Sequence, residues 1–122
     1  CHDVGRAINP TAVAGQIQGG SAQGIGWALM EEVQVDEGYV MTPSYAEYLI
    51  PTAKDLPKTQ AIILESGSGV GPLGAKGIGE PSLTPAAPAV ANAVADALGV
   101  RVADLPITPE RVLEAWEGKG EA

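Results

Sequence analysis

Glu80 stands at the end of a glycine-rich run, GPLGAKGIGEP over Gly71–Pro81, with a proline directly behind it. Glycine has no Cβ and lets a ligand approach the backbone, while proline narrows the conformations open to the residue before it. A carboxylate in that setting is presented at one constrained spot. Such a spot could form part of a catalytic site. The same side chain could instead complement the dipole of a following helix, or only close a turn. Gln16 and Gln23, in GQIQGGSAQGIG, are the second candidate set. Their amides can donate to or accept from a polar ligand in the room the glycines leave, or simply face water or bond a loop.

Other chemistries lack their residues. The run GAKGIGEP holds a Gly-x-Gly but neither the full G-x-G-x-x-G spacing after a strand nor G-K-[ST], so neither familiar nucleotide loop is expected. Gly67-Ser68-Gly69 lacks the nucleophile-elbow spacing. The single His and single Cys, His2 and Cys1, leave no Ser-His-Asp triad, no disulfide within one chain and no His/Cys metal cluster, so no metal-ligating residue is assigned. A net charge of −8 and a pI near 4.4 argue against nucleic-acid or anionic-membrane partners, both of which would repel it. No apolar run approaches the roughly 20 residues of a membrane span, and no secretory leader is evident. Cysteine usage fits a cytoplasmic setting. The chain lacks an initiator Met and reads as a segment of something longer.

With 122 residues there is room for one domain, and 16 Gly and 10 Pro with no Phe predict one rich in loops. Asp3 to Pro10 reads as a strand end and turn, with Asn9 as cap and Pro10 at the first position of a helix. Val13, Ile17, Ile25, Leu29 and Val33 then mark one apolar face. Gly15, Gly19, Gly20, Gly24 and Gly26 on the same helix cost about 1 kcal/mol each relative to Ala, which predicts close packing against a neighbour. Gly38 punctuates a hairpin, and the β-branched stretch Lys58 to Ser66 predicts a buried strand. Gly67 to Gly79 reads as a structured loop. A helix follows from near Pro85 to a Gly99 cap, with Val90, Val94 and Leu98 facing the core, and then a last helix with Thr108 as cap and Pro109 first. The order of elements predicts an α+β fold.

Taken in order, DVGRAINP, GQIQGGSAQGIGWALMEE, GAKGIGEPSLTPAAPAVANAV and LPITPERVL resemble the C-terminal portion of the molybdenum-binding subunit of the xanthine dehydrogenase and aldehyde oxidase family. The resemblance covers about residues 3–115; each glycine motif is weak alone, and their order and spacing together are specific. It implies helices packed on a small mixed sheet, part of a molybdopterin-binding domain over residues 1–116, with a disordered tail over 117–122. It also implies a hydroxylation of an aldehyde or N-heterocycle such as xanthine, with water as oxygen source. On that resemblance Glu80 is the catalytic base and Gln16 contacts the pterin. Gly74, Ala75, Lys76, Gly77, Ile78 and Gly79 line the site, with the Lys76 side chain read as a loop-surface cation or a phosphate neighbour. The implied cofactor is molybdopterin with molybdenum, in the cytosine dinucleotide form. Iron–sulfur clusters and FAD belong on other domains or subunits, since a cluster needs four cysteines and this chain has one. The implied partners are the remainder of the molybdenum subunit, the iron–sulfur and FAD subunits and a small-molecule substrate, and the chain alone is expected to be inactive. Two other readings stand beside this one: a folded structural or interaction module without turnover, and a small phosphate-binding domain using the glycine loop.

Overall fold

The computed structural model describes residues 1–118. The long helix α1, Pro10–Leu29, begins as the sequence predicts: Asn9 is extended (φ −134°, ψ 94°), its side chain accepts the Ala12 N–H at 3.0 Å, and Pro10 takes the first helical position. Val13 and Ile17 are buried, and Ile25 is half-buried. Beyond them the expected stripe fails, because Leu29 is 38% exposed and Val33, past the helix end, is 63% exposed. The buried residues of the second half are Gly24, Gly26 and Ala28. A Cβ at Gly20 would collide with the Ser82 side chain, and one at Gly24 with the Ala86 Cβ. The glycines of α1 therefore serve the close approach of the turn that leads into α2, and the buried side of the helix follows that approach rather than the large apolar residues.

Two short ladders replace a continuous sheet. β1 (His2–Asp3) pairs in parallel with β4 (Ile63–Leu64), His2 opposite Ile63 and Asp3 opposite Leu64. β2 (Val35–Asp36) and β3 (Tyr39–Val40) form a hairpin whose turn residues Glu37 and Gly38 both have positive φ, 44° and 87°. The buried strand expected over Lys58–Ser66 is only these two ladder residues, with Ile62 and Leu64 47% and 50% exposed. β4 is paired along one edge, and its Leu64 side chain is exposed. The α+β class holds, with parallel and antiparallel pairs present but separate.

The core beneath the first ladder is small: Val4, Val13 and Ile17, with Ala7, Ala61, Ile63 and Ile78 packed around it. Ala28, Val100 and Ile107 are also buried, and the Ile107 N–H donates to the Ala28 carbonyl at 2.6 Å. Helix α2, Ala86–Leu98, stops at Gly99 in the left-handed conformation (φ 67°), whose N–H bonds Ala95 O. Its expected core face is only half-buried at Val90 and Val94, and Leu98 is 41% exposed. Helix α3, Pro109–Gly118, starts with Thr108 Oγ1 accepting the Arg111 N–H. It includes Glu117 and Gly118, the first two residues of the expected tail; the rest of that tail lies outside the described residues. The surface area of 8432 Å² exceeds the roughly 6100 Å² typical of a compact monomer of 12.4 kDa. No helix among the described residues is long and apolar enough to cross a membrane.

Candidate functional site

The glycine loop is tied down on both sides of Glu80. On its upstream side the anchor is the end of β1. One oxygen of the Asp3 carboxylate accepts the Gly5 N–H at 2.9 Å and the Ser66 N–H at 3.2 Å, and the other takes the Lys76 ammonium at 2.5 Å. Lys76 also donates its backbone N–H to Val4 O at 2.8 Å, so its main chain and side chain both hold the same short segment. The Lys76 ammonium first, and then the Gly5 amide and Ser66, hold the Asp3 carboxyl well below the usual carboxylate range. Gly5 has φ +65°, and a Cβ there would strike the Gly74 carbonyl; the loop rests directly on this glycine. Inside the loop, Gly69 N–H bonds Gly74 O at 3.0 Å and Gly71 N–H bonds Ala75 O at 3.2 Å, around a single 3-10 turn at Pro72–Gly74.

On the downstream side the anchor is α1. Gln16 Nε2 donates to Gly79 O at 3.3 Å, and Ser82 Oγ donates to Gln16 O at 2.8 Å. Ser82 is buried, and the Leu83 N–H closes a turn onto Glu80 O at 2.9 Å. Between the anchors Ile78 packs against the Val4–Val13–Ile17 core. Its apolar side chain is thus turned inward, while the glycines beside it stay on the surface.

What lies between the two anchors is open. The backbone amides of Gly77, Ile78, Gly79 and Glu80 donate to no other group among the described residues, and a Cβ at Gly77 or Gly79 would meet nothing within 4 Å. The Glu80 carboxylate has no hydrogen bond or ion pair among the described residues. It does not cap α2, whose N-cap is Pro85 and whose first turn holds no acid. A cleft of about 1010 Å³ runs past it, lined by His2, Gly77, Gly79, Glu80 and Thr84 among others. A free carboxylate next to unsatisfied amides on side-chain-free backbone is a place for a polar, oxygen-rich group that can accept hydrogen bonds, and the residues fit the pterin group that the sequence implies. No group of three or more His, Cys, Asp or Glu suited to a metal occurs among the described residues.

The sequence-predicted residues thus divide. Gln16, Gly79 and Glu80 come together at the downstream anchor, and Gly77 and Ile78 belong to the same span. Gly74, Ala75 and Lys76 form the upstream anchor, the Lys76 side chain being engaged by Asp3. Gln23 is exposed and makes no side-chain hydrogen bond among the described residues. Sequence reasoning passed over Asp3 and Ser82. The nearest signals were an acid two residues before a glycine that needs positive φ, and a hydroxyl two residues after Glu80.

Residues 1–57 match the family described as the molybdopterin cofactor-binding domain. The chain is 40% identical over 121 residues to the xanthine dehydrogenase molybdenum-binding subunit of Escherichia coli O157:H7, covering 98% of this chain and 16% of that subunit. Among solved structures it superposes on quinoline 2-oxidoreductase from Pseudomonas putida 86 with a TM-score of 0.82 at 42% identity, over 94% of this chain and 15% of that one. It also matches the aldehyde oxidoreductase from Desulfovibrio gigas with a TM-score of 0.83 at 39% identity, over 94% of this chain and 12% of that one. The chain therefore spans about a sixth of the curated relative's length. In sequence and in fold alike, the chain is similar to one part of the molybdenum-binding subunits of the xanthine dehydrogenase and aldehyde oxidoreductase family.

Proposed function

We propose that this chain is the C-terminal part of a molybdenum hydroxylase subunit and supplies the base for hydroxylation of an aldehyde or N-heterocycle with water as oxygen source. The observation that carries this reading is the Glu80 carboxylate: unpaired, exposed to a cleft, and fixed from both sides by Lys76 and Gln16. A bound molybdopterin, read as the cytosine dinucleotide form, would supply the two-electron redox chemistry and make the attacking water more acidic. That redox chemistry would take up the two electrons given up as the C–H bond of the substrate breaks, and the chain's own part is to bind and to hold the proton. Either Glu80 carboxylate oxygen accepts the proton released as the water oxygen bonds to the electron-poor carbon. The amides of Gly77 to Gly79 offer donors to the pterin, and Gln16, while holding Gly79 O, keeps its amide oxygen free to accept from the same group. The remainder of the molybdenum subunit would complete the cleft, and electrons would leave through iron–sulfur and FAD partners; this chain by itself would not turn over.

The test is Glu80→Gln in the complete subunit. Turnover falls by about 10²–10⁴-fold while molybdenum and pterin content stay at the parent level, because the amide keeps the shape and loses the base. Unchanged turnover in that variant would remove Glu80 from the reaction.

A further inference from the structure

We infer that Asp3 is a positioning residue for Glu80: through its ion pair with Lys76, it fixes the loop on which the carboxylate is carried. The inference rests on the reading of Glu80 as the base. Three observations carry it. Asp3 uses both oxygens on three separate partners, Gly5, Ser66 and Lys76, and so joins the end of β1, the exit from β4 and the glycine loop in one node. Lys76 is held twice by that segment, through its ammonium and its N–H, four residues before Glu80. Between Lys76 and the Gln16 bond to Gly79 no other hydrogen bond is present among the described residues, so loosening Lys76 loosens Gly77 on its upstream side, while Ile78 keeps its core contact. Glycine-rich backbone has no side-chain restraint of its own, and its geometry is set by where its ends are fastened.

The ion pair fastens the Lys76 side chain, and the Lys76 N–H bond to Val4 O holds its backbone. Asp3 and Lys76 side chains are 32% and 36% exposed, so replacing either leaves little cavity. Asp3→Asn keeps an oxygen for Gly5 and Ser66 and loses the ammonium. Lys76→Met keeps most of the stem and loses the charge.

The experiment compares Asp3→Asn, Lys76→Met, Lys76→Arg and the Asp3→Asn/Lys76→Met double variant in the complete molybdenum-containing enzyme, with Asp55→Asn as a charge-removal control in the unrelated Thr52–Asp55 turn. Two readouts are taken: amide hydrogen exchange of the peptide spanning 66–80, and kcat and KM per bound molybdenum. Asp3→Asn and Lys76→Met are expected to lose protection in that peptide. They lower kcat per molybdenum by about 10–100-fold with KM unchanged, the cost of a misplaced group rather than a missing one. The double variant is no worse than either single one, and Lys76→Arg recovers both readouts. The Asp55→Asn control changes neither.

Three outcomes overturn the inference. Unchanged exchange and kcat in Asp3→Asn would mean the loop holds its shape without the pair. A drop in thermal stability and molybdenum content at normal kcat per molybdenum would make Asp3 a structural residue only. Loss of molybdenum in Lys76→Met but not in Asp3→Asn would assign the lysine to the cofactor. The two readings separate cleanly: an inactive Glu80→Gln beside a normal Asp3→Asn sinks the positioning role alone. An active Glu80→Gln sinks the base, and hydrogen exchange still judges the clamp.

Discussion

Two glycines on one helix should respond to the same substitution with opposite signs. At Gly19 an added Cβ meets nothing within 4 Å, whereas at Gly24 it would lie 2.9 Å from Leu83 O and inside contact distance of the Ala86 Cβ. Both residues are within α1, so Gly→Ala brings each the same propensity gain of about 1 kcal/mol. At Gly19 that gain stands alone, and the variant is more stable by about that amount. At Gly24 the obstacles are a backbone carbonyl and the first residue of α2, neither of which can swing aside. Overpacking there costs about 1–3 kcal/mol, and the displaced turn loses the Ser82–Gln16 bond, about another 1 kcal/mol. The propensity term cancels in the comparison, leaving Gly24→Ala less stable than Gly19→Ala by about 2–4 kcal/mol. Urea unfolding of the two variants, followed by far-ultraviolet circular dichroism at equal concentration, reads this difference. Equal midpoints for the two would refute the argument that the α1 glycines exist for close approach.

Two further predictions concern charge. The Asp3 carboxyl titrates below its ordinary range when folded, so its contribution is complete above the unfolded carboxylate pKa of about 3.9 and is withdrawn as pH falls below it. Protection of the 66–80 peptide, taken relative to the intrinsic exchange rate at each pH, should therefore fall on acidification, and Asp3→Asn should flatten that dependence; an unchanged acid profile in the variant would contradict the assignment. Arg111 joins α3 to the segment after α1, donating to Glu32 at 2.9 Å and to Pro106 O at 2.7 Å. Both side chains of the pair are about a third exposed, so Arg111→Gln should lower the urea midpoint only slightly, with the loss shrinking further in high salt.

Local signals in the sequence were read well. Asn9 and Pro10 at the start of α1, Gly38 in the hairpin, Gly99 after α2 and Thr108 before α3 each act within a few residues, and each appears in the structure where its chemistry puts it. The apolar stripe of α1 was misread beyond Ile17 because periodicity counts large side chains, while this helix is buried where it has none. The Lys58–Ser66 strand was overestimated because β-propensity reports what a segment would do against a partner, and within this chain only two of its residues find one. At the site, Gln16 and Glu80 stood out among glycines in the sequence, and the structure brings them together through the Gln16 bond to Gly79 O. The Asp3–Lys76 pair was not, since no pattern of types links residues 73 apart.

That separation also bears on how the molecule assembles. The contacts that shape the Glu80 loop span 63, 66 and 73 residues, so each must close a long loop before any local gain offsets the lost chain entropy. Helix α1, whose backbone hydrogen bonds are local, can form early; the loop cannot acquire its shape until β1 and α1 have both docked against a segment made some sixty residues later. During synthesis the chain thus carries the Glu80 carboxylate out of the ribosome unplaced, and the order of events in folding runs scaffold first, site last.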